Sequence, residues 1–449
     1  MKREVTPRRT GAARPSLIRG LFGVVLVASV MNFLFVFLKC EDEVGGQLKK
    51  KLEQFSTKKS VHVAHQATGD GTNQKEVSKA KATIAYAVSV TGCAAASDNL
   101  VQGAAVLGHS VRLSSIENPS SGSKYNYHLI AFVHPQAKAC SHLFEKLGYE
   151  VLIRETPINV SDIRNEVYRA DIAKQSCCGE KEFIKLYSYT LTDYPVVVHL
   201  DLDSVVLKPF DDLFDSMIDG PSAPARKRIP VMPGSPMPDA VHAFFTRDYN
   251  MVNLGHKHPG MQGGFLVVKP NTEYFEEYRE LILEGNFKAG AGWNGTYGGY
   301  FGAKQIQGLC SYFFDGVHPN TAVELNRCFY NQMGDNPRKS RKHDEKLMCL
   351  DGREECEDCR VTNISEIMSA HFTSPCGKPW ECSQKSRNVN GELCHSLRRK
   401  WFSIRNNLEH SGRIRGHTPT TGEGTFLPET YFGYCKGPGS RNLIPLKLT

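Results

Sequence analysis

Residues 196–204 read Val-Val-Val-His-Leu-Asp-Leu-Asp-Ser, and the chain continues as Val205-Val-Leu-Lys-Pro209. Three β-branched residues ahead of His199 and Leu200 form a short apolar run suited to a strand buried on both faces. Asp201 and Asp203, at i and i+2, point the same way from an extended chain. At the carboxyl end of such a strand, two carboxylates can grip one divalent cation whose other positions take phosphate oxygens. Alone, the Asp-x-Asp tripeptide reads equally as a turn or a solvated pair. The apolar strand in front of it favours the metal.

On either side of this segment strand and helix patterns alternate. Thr83–Val90 (TIAYAVSV) reads as a buried strand. A helix follows over 98–111, with Asp98 as N-cap and Gly103, Ala104, Ala105 and Gly108 small enough for close packing. Residues 127–133 and 150–153 are further strands, 180–192 a helix, 264–268 a fifth strand and 272–284 a helix. The alternation predicts an α/β fold with a mostly parallel sheet and ligands at the carboxyl ends of its strands. The Pro- and Arg-rich piece 221–260 reads as an insertion loop, and 383–449, without a clear pattern, as an extension wrapped over the core. The Gly-rich run 290–302 lacks a following Lys-Ser/Thr and is not a nucleotide P-loop; an irregular loop and a mobile acceptor-side loop both fit it.

The 449 residues carry 55 Lys+Arg against 47 Asp+Glu, a formal net charge of +8. Lys2, Arg3, Arg8, Arg9, Arg14 and Arg19 against the single Glu4 put +5 of this in the first 19 residues, leaving +3 for the remainder. That distribution argues against a nucleic-acid partner, since the other basic clusters, Arg226-Lys-Arg228 and 338–342, are short. Behind the basic tail, 20–38 is free of charge, with Ser29 and Asn32 its polar members. As a helix it spans about 28 Å, enough for a thin bilayer. Basic before and acidic after (Glu41, Asp42, Glu43), it predicts a single-pass signal anchor with the N-terminus cytosolic and the rest lumenal. A cleaved signal peptide is the competing reading, disfavoured by the length of the apolar run. Residues 39–81 read as a flexible stem, 82–382 as the catalytic or binding domain.

Fourteen cysteines, seven of them between Cys328 and Cys394 among polar and turn residues, indicate a disulfide-stapled region. Cys356-Glu-Asp-Cys359 would otherwise be half of a zinc site. Three sequons begin at Asn159, Asn294 and Asn363. Cys40, beside the apolar run, suits acylation or an intermolecular bridge.

The blocks around Asp201 resemble glycosyltransferase family 8, the glycogenin-like enzymes. Phe183-Ile-Lys185-Leu186, the strand with Asp-x-Asp, and Asp211-Asp-Leu-Phe-Asp215 are similar to that family's Lys-Leu helix, strand and continuation. So are Gly103-Ala-Ala-Val-Leu-Gly108, Met261-Gln262-Gly263-Gly264 through Pro270, and His371-Phe372 followed by Gly377-Lys378-Pro379-Trp380, in the same order. The resemblance covers about residues 82–382. It implies a GT-A nucleotide-diphospho-sugar transferase fold, a UDP-sugar donor, a manganese ion (Mn2+) and hexosyl transfer with retention to a glycan, glycoprotein or glycolipid. By it Asp201, Asp203 and His371 ligate the metal. Gly377 and Lys378 hold the diphosphate, Lys185 sits near the phosphates or sugar, and Thr91 lines the uracil site. Gln262, Gly263 and Gln307 belong to the sugar side. With the anchor, this implies a Golgi or other secretory-pathway enzyme.

The sugar side departs from the family. Gln305-Ile306-Gln307 has isoleucine where the family carries a carboxylate that touches the donor sugar, and Gln262-Gly263 replaces an asparagine–serine pair. A catalytically silent lumenal binding or scaffold protein on the same fold therefore stays open beside the enzyme.

Overall fold

The apolar run ahead of Asp201 lies at the centre of a seven-stranded sheet. The computed structural model describes residues 80–448 apart from 94–96, 175–177, 255, 341–345, 374, 385–390, 415–416 and 421. The strands that place the site are β1 (Thr83–Val90), β2 (Asn126–Val133), β3 (Glu150–Ile153), β4 (Val197–Leu200), β5 (Ser204–Val206), β6 (Ala243–Arg247), β7 (Met261–Val268), β8 (Ala322–Glu324) and β9 (Ser369–His371). The sheet order is β8-β6-β7-β4-β1-β2-β3. β7 runs antiparallel to both neighbours; the other pairings in this sheet are parallel.

Helices cover both faces, which is why the strands read as nearly continuous apolar runs. On β1, Ile84, Tyr86, Val88 and Val90 enter one core while Ala85 and Ala87 enter the other. Helix α1 (Ser97–Leu113) lies over the turn after β4: a Cβ on Gly103 would fall 2.3 Å from the Leu202 carbonyl oxygen. The small residues there are thus a packing requirement. Helices α2 (Asp211–Ile218), α3 (Thr272–Glu284) and α4 (Ile306–Tyr312) follow. Asn271 caps α3 by accepting from the Glu273 and Tyr274 amides, and Gly285, at φ 64°, ends it.

One expectation is corrected and two are refined. Residues 221–260 are not wholly a loop, because β6 within them is a sheet strand buried along most of its length. The helix expected over 180–192 is a 3-10 helix, Gly179–Thr190. The extension holds a 19-residue helix, α5 (Glu392–His410), which packs on α1. Leu393, Leu397, Trp401 and Leu408 keep a helical period, but Arg398, Arg405 and Glu409 are buried with them and blur the apolar stripe.

Arg405 Nε donates to Glu409 Oε1 at 3.0 Å, its Nη2 to the Ile444 carbonyl at 2.6 Å, and its guanidinium lies over the Tyr434 ring. Removing one partner would strand a buried charge. Glu409→Ala is expected to lower unfolding stability by about 3–5 kcal/mol in urea titrations.

Among the described residues five disulfides join Cys93–Cys140, Cys328–Cys359, Cys349–Cys356, Cys376–Cys394 and Cys382–Cys435. Cys356 and Cys359 belong to different bridges, so they form no half zinc site. Asn159, Asn294 and Asn363 are all exposed. The Gly-rich run packs around buried Trp293, whose indole donates to the Ala303 carbonyl at 2.9 Å. The basic tail, the apolar run 20–38, Cys40 and nearly all of the stem lie outside the described residues. Lys81, counted with the stem, is already tied to Asp215 and Asp219 of the domain. Among the described residues no helix is long and apolar enough to cross a membrane.

Candidate metal centre and adjoining cavity

β4 ends at Leu200, and Asp201 carries the ladder one residue further by donating its amide to the Gly264 carbonyl at 3.1 Å. The Ser204 amide donates to the Asp201 carbonyl at 3.0 Å and turns the chain into β5. β5 pairs antiparallel with β9 in a register that sets Ser204 opposite His371, and the Phe372 amide donates to the Asp203 carbonyl at 2.8 Å. This small second sheet brings His371 to the Asp-x-Asp turn from far along the sequence.

Asp201, Asp203 and His371 offer ligand atoms that all lie within 4.8 Å of one another. His371 Nε2 is 3.2 Å from Asp203 Oδ1 and 3.9 Å from Asp201 Oδ2. A Cβ at residue 264 would fall 2.5 Å from Asp201 Oδ2 and 2.6 Å from His371 Cε1, so glycine keeps the centre open. Two carboxylate oxygens and one imidazole nitrogen suit a divalent ion that accepts oxygen with nitrogen, and the set fits such a cation.

Two lysines hold the carboxylates. Buried Lys185 donates to Asp201 Oδ1 at 2.9 Å, Glu182 Oε1 at 3.2 Å and the Gly263 carbonyl at 2.9 Å. Lys378 is ion-paired with Asp203 Oδ2. Burial pushes the Asp201 carboxyl up, but Lys185 and His371 outweigh it and hold it at about 2. Burial lowers His371. Behind the strand, His199 is fully buried with Nε2 2.8 Å from Ser89 Oγ; burial and then Lys185 push it down to about 3.

The sign of that shift sets a pH dependence. A depressed folded-state value gives stability that is present above the unfolded value near 6.5 and lost as pH falls toward 3. Between pH 6.5 and 4 this histidine alone is expected to remove about 3 kcal/mol, measured as unfolding free energy against pH. His199→Asn should flatten that slope.

A cavity of about 410 Å³ adjoins the centre. Thr91, Lys185, Asp201, Asp203 and Lys378 line it together with Leu100, Glu182 and Trp380. Gln262, Gly263 and Gln307 sit behind the carboxylates instead. Gln262 Oε1 accepts the Gly264 amide at 2.6 Å and its Nε2 donates to Asp248 Oδ2 at 3.5 Å. A Cβ on Gly263 would meet Ile306 Cγ2 at 3.3 Å, Gln307 Cγ at 3.5 Å and Glu182 Oε1 at 3.5 Å. Gly377, at φ 71°, turns the chain into Lys378. A larger cavity, about 520 Å³, lies around Arg247, His258 and Asp315 and shares no lining residue with the first.

Sequence reasoning missed Glu182, Asp248 and Asp335. Asp335 is buried, and burial pushes its carboxyl up to about 7. No motif marks Asp248 or Asp335. Glu182, three residues before Lys185, had a signal in its spacing.

No protein-family model matches the chain, and no curated protein does. Among solved structures it is similar to an active-site mutant of LgtC, at 13% identity over 74% of this chain and 99% of that one, TM-score 0.39. It is also similar to apo mouse xyloside xylosyltransferase 1 (12% identity, 65% of this chain, 98% of that one, TM-score 0.36). A third similarity is to the glycosyltransferase GlyE of Streptococcus pneumoniae TIGR4 (12%, 72% and 60%, TM-score 0.35). At these identities and scores the similarity carries no statement about chemistry, which rests on the centre itself.

Proposed function

We propose that the protein is a metal-dependent glycosyltransferase that moves a hexose from a UDP-sugar to a hydroxyl of a glycan, protein or lipid, with retention. The observation that carries this is the convergence of Asp201, Asp203 and His371 beside a cavity whose lining includes Lys185 and Lys378. Asp201, Asp203 and His371 would hold a divalent cation, Mn2+ by this reading, which would supply charge stabilisation for a departing diphosphate. Lys378 supplies a second positive charge for the same diphosphate. Thr91, Leu100 and Trp380 add less polar lining suited to the uracil ring. Gln262, Gly263 and Gln307 shape the sugar side from behind.

By this reading residues 20–38 anchor the chain in a Golgi or other secretory-pathway membrane with the domain in the lumen. Five disulfides and three exposed sequon asparagines support an oxidising, glycosylating compartment. One observation favours a silent binding protein instead: position 306 is a fully buried isoleucine packed toward Gly263, so it brings no carboxylate to the site. Purified full-length chain with Mn2+ and a panel of UDP-sugars decides between them. UDP release above that of Asp203→Ala supports the enzyme; donor binding without release in any combination supports the binder.

A further inference from the structure

Lys185 has three N–H donors, and all three are taken, by Glu182, Asp201 and the Gly263 carbonyl. It is 7% exposed and has no donor left for a ligand. Its geometry is that of a clamp between two carboxylates. Glu182 is different. Only Oε1 meets Lys185, Oε2 meets no donor among the described residues, and the side chain remains 18% exposed on the cavity wall.

The backbone explains why this pair faces the cavity. In a 3-10 helix residues i and i+3 eclipse, so Glu182 and Lys185 in Gly179–Thr190 project from one side. Their shared neighbour is Gly263, around whose missing Cβ Glu182 Oε1, Ile306 Cγ2 and Gln307 Cγ converge. Ile306 offers no polar atom, and Asp248, the other nearby carboxylate, is nearly fully buried behind Gln262 and does not line the cavity.

We propose that Glu182 is the carboxylate that recognises the hexose of the donor, accepting hydrogen bonds from its hydroxyls while Lys185 fixes its position. The assignment rests on the glycosyltransferase reading and deepens it. A charged acceptor aimed at hydroxyls discriminates among sugars strongly, because a missing or inverted hydroxyl leaves it unpaired.

The test compares UDP with UDP-glucose, UDP-galactose, UDP-N-acetylglucosamine and UDP-xylose on the full-length chain in Mn2+, by calorimetry and, where turnover occurs, by kcat/KM. Glu182→Gln keeps the shape and removes the charge. It is expected to weaken the preferred UDP-sugar about ten- to hundredfold, while UDP, which lacks the sugar, stays within about threefold of wild type. The ranking of donors should also flatten. Two results overturn the proposal alone, with UDP still bound by wild type: unchanged UDP-sugar affinity, or UDP and UDP-sugar weakening in parallel. In the second case Glu182 acts only through Lys185 on the metal end. Wild-type chain that binds no UDP in Mn2+ overturns the glycosyltransferase reading and this assignment with it. Lys185→Met separates the roles: as the clamp of Asp201 as well, it should weaken UDP and UDP-sugar together.

Discussion

Asp203→Ala is expected to reduce UDP release by about a thousandfold or more while leaving the fold intact. The carboxylate is one of three candidate ligands and also the partner of Lys378, so its removal strikes both positive charges proposed for the diphosphate. Loss of a cation worth several kcal/mol of charge stabilisation corresponds to that factor in rate. The fold should survive because Asp203 is only partly buried and its backbone carbonyl still accepts the Phe372 amide. A second readout is independent of turnover. Mn2+ should raise the melting temperature of the wild-type chain by binding the folded state alone, and should not raise that of Asp203→Ala. Equal Mn2+ shifts in the two proteins would remove the metal centre.

The parts of this arrangement that were legible in the sequence are those set locally. β1 and α3 follow the expected bounds because an unbroken apolar run and an Asn–Gly cap pair are properties of a few adjacent residues. Asp201 and Asp203 were readable for the same reason. β6 was hidden because five residues, Ala-Phe-Phe-Thr-Arg, follow a long Pro-rich approach and owe their extended form to pairing with β7 and β8. α5 was hidden by arginines that are buried because Glu409 and backbone carbonyls await them, a tertiary fact. Lys185 stands on the cavity wall, but its saturated bonding depends on Asp201 and the Gly263 carbonyl, which only the folded sheet brings to it. His371 is informative alone only as part of a motif; the register of β9 on β5 is what gives it a place beside Asp203.

Gly264→Ala is the sharpest test of the centre's geometry, because the expected damage comes from one methyl group. The added Cβ would lie 2.5 Å from Asp201 Oδ2, 2.6 Å from His371 Cε1 and 2.9 Å from Asp201 Cγ. None of the three parts can easily give way. β7 is held on one side by β4, through Leu200 opposite Phe265 and the Asp201 amide on the Gly264 carbonyl, and on the other by β6. Asp201 is pinned by Lys185, and His371 by its backbone N–H, which donates to the Gln332 carbonyl at 3.0 Å, and by the β5 pairing. The methyl must therefore push the two ligands apart, and a displacement of about 1 Å at a reacting centre costs about a hundredfold in rate. Overpacking should also cost about 1–3 kcal/mol of stability. Gly263→Ala is the matched control one residue earlier. Its nearest neighbours would stand at 3.3–3.5 Å and are side-chain atoms, so a small adjustment absorbs it and the rate should fall less than about tenfold. The Mn2+ concentration for half-maximal activity should rise in Gly264→Ala and stay near wild type in Gly263→Ala. If the two variants behave alike, the opening between Asp201 and His371 is not a cation site.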